Sequence, residues 1–359
     1  MSLRIVDADT HVIESTETFS HMRDAEQKFL PMIVTQTWGN ELRAHDGNVR
    51  NEFWVIDGRV QARHRNVNNA ETTTEQRECR DIDGRLRQMD EMGVDVQVLY
   101  PTLFNSPITH DPENYFALAR SYNRWIAGVW KKSDGRMRYV AIPPLPTMDR
   151  VRDELSFCKD NGACGIFMVG FECEKEIDDP YFTPLWETAG ELDLAVCFHS
   201  GNHSQTYWDL YKRSRFMTNR SSGIGAFHAL IMNDIPQKFP KVRWGFIEFS
   251  ASWIPYVFNN LELNYKRKGD FETRSDTKWT AEGLMKENRI FATCQVTDDL
   301  PYILGMVGED NLVIGTDYGH NDAATEMAAV KKLRENGAID LTIIDKILDA
   351  NPRALYGLT

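Results

Sequence analysis

Eight short runs of β-branched and apolar residues alternate with longer stretches of helical periodicity, and that count restricts the fold more than any single motif does. The runs lie at 3–9, 94–100, 138–145, 164–169, 194–199, 242–249, 289–294 and 312–317. Between them the apolar residues recur at helical spacing over 79–92, 113–132, 148–161, 181–192, 224–238, 252–267, 298–307 and 322–336, with a last helix near 340–350. Gly93, Gly162 and Gly337 fall where helices should stop. Strict strand–helix alternation requires parallel strands joined by right-handed crossovers, and eight such units predict a (β/α)8 barrel. The 359 residues fit one such domain, 1–359, with an addition at 34–75. There N-E-F-W-V-I-D-G-R-V-Q-A-R at 51–63 reads as two strands around an Asp57-Gly58 turn, an inserted β-hairpin. Residues 200–223, rich in Ser, Asn, Gly, Arg and Tyr, read as a long loop after the fifth strand, on the face where barrels build their pockets.

Barrel strands are buried on both faces, so a charged or imidazole side chain at a strand's C-terminal end needs compensation. The first strand runs into D-A-D-T-H-V-I-E at 7–14, and the fifth, sixth and eighth end at His199, Glu248 and Asp317. In a barrel all four ends converge on one mouth. Imidazoles and carboxylates together suit zinc, manganese, iron or cobalt, whereas magnesium and calcium prefer oxygen alone. Asp9 and His11, two apart on a strand, leave the same face and can clasp one ion. Zinc is the expected divalent metal, with manganese or iron as alternatives, as one ion or two.

The candidate ligands are Asp9, His11, Glu14, His199, His228 and Asp317, and the candidate proton-handling groups are Asp317, His228 and Glu248. These exceed the three or four protein ligands of a mononuclear catalytic site, so some act from behind or a second ion is held. The fourth strand, C-G-I-F-M-V at 164–169, offers no lysine to carboxylate as a bridge. Plainer readings compete: Glu14 can cap the helix-like stretch after the first strand, and His228, among apolar residues of the 224–238 segment, can be structural. His203 and Arg215 in the 200–223 loop, and His320 three residues past Asp317, are candidates for touching substrate. His320 can equally orient the Asp317 carboxylate. Arg213 and Arg220 could bind a carboxylate and Tyr207 and Trp208 could stack on a ring, though solvated positions suit them as well. His21, His45, His64 and His110 receive no role.

Several segments carry a resemblance: the 7–14 motif, G-V-D-V-Q-V-L-Y-P at 93–101, His199, Q-K-F-P-K-V-R-W-G-F-I-E at 237–248, G-T-D-Y-G-H at 315–320 and N-P-R-A-L-Y-G-L at 351–358. Over nearly its whole length the chain resembles the amidohydrolase-related family that includes aminocarboxymuconate-semialdehyde decarboxylase and the resorcylate-type decarboxylases. The resemblance implies metal ligands at Asp9, His11, His199 and Asp317. Two positions depart from it. Many members open with HxH where this chain has Asp9, and the decarboxylases carry a catalytic histidine where it has Glu248.

The expected function is metal-dependent hydrolysis or decarboxylation of a small, carboxylated organic substrate. The alternatives are a dinuclear iron or manganese–iron oxygenase of the same superfamily, which shares a DxHxxE opening, and an inactive barrel subunit. No GxSxG elbow or P-loop is present, and Gly223-Ile224-Gly225 lacks the rest of a dinucleotide fingerprint. A formal charge of −12 would repel a phosphate backbone, so nucleic acid is not an expected partner. No apolar stretch approaches the roughly 18 residues of a membrane span, and the opening M-S-L-R-I-V-D does not read as a secretory signal, which points to the cytoplasm. The six cysteines, without CxxC spacing, read as reduced thiols. A homo-oligomer is expected, with the 252–267 and 322–336 helices and the hairpin as candidate interfaces.

Overall fold

The computed structural model describes residues 4–35, 52–63, 66–211, 213–268 and 280–358. Its strands are β1 (Val6–His11), β2 (Met32–Thr35), β3 (Glu52–Ile56), β4 (Arg59–Ala62), β5 (Val96–Tyr100), β6 (Met137–Ala141), β7 (Ala163–Met168), β8 (Ala195–His199), β9 (Trp244–Ile247), β10 (Ile290–Cys294) and β11 (Leu312–Ile314). Eight of them form one sheet in the order β1-β5-β6-β7-β8-β9-β10-β11, and every pair in it is parallel. The helices Ile82–Met92, Pro112–Lys132, Val151–Asp160, Thr183–Glu191, Ser222–Met232, Ile254–Lys268, Leu300–Val307 and Ala329–Glu335 separate and follow these strands. The (β/α)8 barrel expected from the strand count is the architecture observed.

Closure occurs between the first and last strands. Asp317 N donates to Asp9 O at 2.9 Å and His11 N to Tyr318 O at 2.8 Å, a parallel bridge that continues beyond β11. Asp7 reinforces it by accepting Thr316 N at 2.9 Å and Thr316 Oγ1 at 2.6 Å. Burial pushes the Asp7 carboxyl up to about 7, and the two Thr316 bonds pull against that. Inside the barrel Tyr356 of the last helix donates to Ala8 O at 2.7 Å, so the Tyr100 hydroxyl, 2.7 Å away, donates to Tyr356. At Gly315 a Cβ would sit 2.2 Å from Asp9 Cβ, so only glycine allows the closing strand to lie this close to the strand that carries Asp9.

The insertion is a three-stranded antiparallel sheet, β2-β3-β4, rather than a hairpin alone. The strand added to the hairpin, Met32–Thr35, begins before the expected boundary at 34 and is largely exposed, so burial left no alternation there to read. The Asp57-Gly58 turn stands as expected, with both residues at positive φ. Parts of the 34–75 region, 36–51 and 64–65, lie outside the described residues, and His45 and His64 with them. The expected loop at 200–223 contains a helix, Gln205–Tyr211, and a wide helical turn, Phe216–Ser221, that runs into Ser222–Met232. None of the residues of Gln205–Tyr211 is buried, so it lacks the apolar stripe that marks a helix in sequence. The 224–238 segment breaks at Asp234, which adopts a left-handed conformation just ahead of Pro236. The 322–336 segment is helical only over Ala329–Glu335.

All six cysteines are free, and Cys173 alone among them is not buried. Among the described residues no helix is long and apolar enough to cross a membrane. Replacing Gly315 by Ala should push the strands of the seam apart and lower stability by about 1–3 kcal/mol; a urea unfolding midpoint equal to wild type would show that the seam tolerates a Cβ.

Candidate metal centre

The strand ends bring four polar side chains to one buried point. His11 at the end of β1 and His199 at the end of β8 are fully buried. His11 Nδ1 lies 3.1 Å from Pro101 O and His199 Nδ1 lies 3.0 Å from Ser200 O. A carbonyl only accepts, so each Nδ1 carries the hydrogen and each neutral ring presents an Nε2 lone pair. Those two Nε2 atoms face each other at 3.1 Å. Two lone pairs at that distance repel unless a proton or a cation lies between them.

Carboxylates complete the group. Asp9 Oδ1 lies 3.4 Å from His199 Nε2 and 3.7 Å from His11 Nε2, and Asp317 Oδ1 lies 3.6 Å from His11 Nε2. Asp9 Oδ1 is buried and has no hydrogen-bond partner among the described residues. An ion bound tetrahedrally at about 2.1 Å separates its ligands by about 3.4 Å, which matches these spacings. Asp9, His11 and His199 on one side, and His11, Asp317 and His320 on the other, could each hold an ion. The donor set of two imidazole nitrogens and two carboxylates fits a divalent transition metal.

The two rings differ in their electrostatics. Burial first, and then the neighbouring His320 and His199, hold His11 well below its ordinary value. Burial pulls His199 down too, but Glu248 and Asp9 outweigh it and leave the ring above its ordinary value. Burial, followed by Asp322 and Asp9, pushes the Asp317 carboxyl well above the carboxylate range. Such crowding of acids and lone pairs is relieved by a cation.

Supporting residues fix these groups. Thr325 Oγ1 donates to Asp317 Oδ2 at 2.6 Å, and His320 Nδ1 lies 2.9 Å from Asp317 Oδ1. Thr102 gives its hydroxyl hydrogen to Val12 O at 2.8 Å, so its oxygen accepts from His320 Nε2 at 2.9 Å. One proton therefore lies between His320 Nδ1 and Asp317 Oδ1. The His320 ring also stacks on His11, with centroids 3.9 Å apart. Asp317 (φ 52) and Glu248 (φ 66) both adopt the left-handed conformation at their strand ends, a strain that clusters at functional sites. Glu248 Oε2 lies 3.2 Å from His199 Nε2, and Arg220 donates to the Glu248 carbonyl.

The remaining candidates separate. Glu14 is buried, but its two oxygens accept Thr102 N at 3.0 Å and Leu103 N at 2.9 Å, so it braces the loop after β5 and caps no helix of its own. Glu14 belongs to neither of the two candidate ligand groups. His228 is not brought to the group: it lies half-buried on Ser222–Met232, with Nε2 3.1 Å from Asn260 Oδ1 of the next helix. Both nitrogens of His203 are committed, Nδ1 to Glu172 Oε2 at 2.5 Å and Nε2 to Phe104 O. Its partners only accept, so the ring is an imidazolium, and burial is outweighed by Glu172 in raising it. Arg215 and His320 line a cavity of about 750 Å³ above the ligands. The insertion supplies another wall, with Trp54, Arg59 and Gln61. Sequence reasoning had no role for these three, because nothing local shows that the inserted sheet folds back over the mouth. Asp322 also lines the cavity, accepting Asn66 Nδ2 at 2.6 Å and Ala324 N at 2.8 Å.

The family model described as amidohydrolase matches residues 6–358. The chain belongs to the amidohydrolase family. A 2-amino-3-carboxymuconate-6-semialdehyde decarboxylase from Dictyostelium discoideum is 23% identical over 253 residues, which cover 67% of each chain. Among solved structures, an amidohydrolase from Mycobacterium avium subsp. paratuberculosis superposes with a TM-score of 0.77 at 17% identity, covering 99% of this chain and 100% of that one. A 5-carboxyvanillate decarboxylase from Novosphingobium aromaticivorans, complexed with manganese and 4-hydroxy-3-methoxy-5-nitrobenzoic acid, superposes with a TM-score of 0.61 at 18% identity, covering 77% and 80% of the two chains. These likenesses agree with the barrel and with the family resemblance carried by the strand-end motifs.

Metal analysis of purified variants checks the ligand assignment. His11→Ala and His199→Ala should lose the bound ion, Thr325→Val should weaken it about 10- to 100-fold, and His228→Ala should retain it in full. Loss of metal from His228→Ala alone would overturn the assignment.

Proposed function

We propose that this chain is a metal-dependent carboxy-lyase that removes CO₂ from a small carboxylated aromatic substrate. The observation that carries the reading is the pair of facing Nε2 lone pairs, 3.1 Å apart beside the unpartnered Asp9 Oδ1. The decarboxylases among its relatives favour carboxyl loss over hydrolysis. Asp9, His11, His199 and Asp317 would hold a divalent cation, and the manganese in the related 5-carboxyvanillate decarboxylase supports manganese beside zinc. Such a cation supplies charge that draws in substrate oxygens and stabilises the electron pair left when CO₂ departs.

This chain's own residues then have defined tasks. Arg59 and Arg215 on the cavity wall meet anionic substrate oxygens, and Trp54 and Trp208 border the ring. Glu248 faces the cavity, and burial, opposed by His199 and helped by Asp322 and Asp317, keeps its carboxyl well above the ordinary range. That favours its acid form, which would deliver a proton from a carboxyl oxygen to the carbon that loses CO₂ and regain one from solvent. The proton between His320 and Asp317 lies alongside as a second store. Glu248 thus takes the part that the decarboxylase pattern gives to a histidine. The exposed Tyr256 and Leu263 on Ile254–Lys268 favour a homo-oligomeric assembly.

A panel of hydroxylated and methoxylated aromatic carboxylic acids, assayed for CO₂ release, tests the reading. Activity should vanish on chelation and return with manganese or zinc. Glu248→Gln should lower kcat about 10²- to 10⁴-fold. Because the acid form of Glu248 is the active one, wild-type activity should fall as pH rises through its elevated value. Hydrolysis of an amide or ester without CO₂ release from any acid would contradict the proposal.

A further inference from the structure

Beside the metal-centred cavity lies a second one of about 330 Å³, within the size range of small-molecule sites. Ile108, Tyr115, Leu145, Cys173 and Tyr181 contribute to its walls, and among the described residues Pro107 alone lines both cavities. The His203–Glu172 ion pair forms part of its boundary, with the imidazolium also bonded to Phe104 O. The wall is built rather than incidental. Cys173 (φ 53) and Glu174 (φ 55) are consecutive left-handed residues. Glu172 accepts Val169 N at 2.8 Å, and Glu174 accepts Ser204 Oγ at 2.6 Å and Gln205 N at 3.0 Å, so the strained turn is held from both sides.

One polar atom is left over. Tyr115 is 7% exposed and lines the cavity, and its ring packs on Phe104 and His203. No described residue hydrogen-bonds its hydroxyl, which opens on the cavity, where the oxygen of a ligand can meet it. The charges decide what could supply it. A ligand carboxylate would face Glu172 and Glu174 and would need an uncommitted cation. His203 is bonded to Glu172, Lys175 Nζ lies 3.5 Å from Asp179 Oδ2, and the remaining basic group on the wall is the single imidazole of His110. A neutral oxygen on an apolar body suits the site better. An apolar cavity of roughly 150 Å³ already accepts benzene, so there is room for one substituted ring.

We propose that this cavity is a second small-molecule site, selective for a single aromatic ring bearing a neutral hydroxyl, which pairs with the Tyr115 hydroxyl while Ile108, Leu145 and Tyr181 pack the ring. The assignment does not depend on the reaction at the metal centre. Fluorine NMR of the full chain titrated with 4-fluorophenol tests it. Wild type should bind saturably, Tyr115→Phe should weaken binding roughly three- to tenfold, and Ile108→Trp should fill the cavity and abolish it. His11→Ala, which disables the metal centre, should bind as wild type does, so a failed carboxy-lyase assignment leaves this result readable. If Ile108→Trp does not fold, Tyr115→Phe carries the test. Binding that is unsaturable in wild type, unchanged in Tyr115→Phe, or lost in His11→Ala overturns the proposal.

Discussion

Two backbone carbonyls, Pro101 O and Ser200 O, fix the tautomers of His11 and His199 and turn both Nε2 lone pairs toward each other. With both rings neutral that arrangement is unfavourable, since neither can then donate to the other, and a proton or a cation between them relieves it. It becomes favourable when a cation accepts both pairs together with the Asp9 and Asp317 oxygens. The barrel can be read as the scaffold that makes this geometry hard to escape. His11 and His199 lie on β1 and β8, which are not neighbours in the sheet, so their approach requires the whole ring of strands to close.

The seam between β1 and the segment after β11 therefore has a double role. It closes the barrel through the Asp9–Asp317 and His11–Tyr318 backbone bonds, and those bonds join three of the four residues proposed as ligands. Gly315 allows the approach, while Asp7 locks it from behind through Thr316. On the other side Glu14 spends both carboxylate oxygens on the loop after β5, and Thr102 of that loop holds His320 against Asp317. Glu14 and His320 are in this way placed to orient the proposed ligands, as outer residues do in metal sites generally.

Much of this was legible in the chain. Eight apolar runs gave the strand count because parallel barrel strands are buried on both faces and read as continuous apolar segments. Polar residues at the ends of four such runs marked the mouth. Asp9, His11, His199 and Asp317 stood out because burial of these types is costly without a partner. What could not be read depends on distance in space. His228 falls in an apolar segment of sequence, yet its helix turns it toward Asn260 and away from the strand ends. His203 sits in a pocket-forming region, yet Glu172 and Phe104, distant in sequence, take both its nitrogens. The inserted sheet was visible as a β element, but its part in the cavity wall follows from how it docks. Gln61, for example, donates to Pro107 O at 3.3 Å in the stretch after β5.

The central claim is that one divalent cation joins strand ends that would otherwise repel. An anomalous-difference map collected at the absorption edge of the copurifying metal tests it most directly. A single strong peak within about 2.0–2.3 Å of His11 Nε2 and His199 Nε2 and of carboxylate oxygens of Asp9 and Asp317 is the predicted result. A map without a peak there, in protein that is active and metal-free with the two rings sharing a proton, would contradict it.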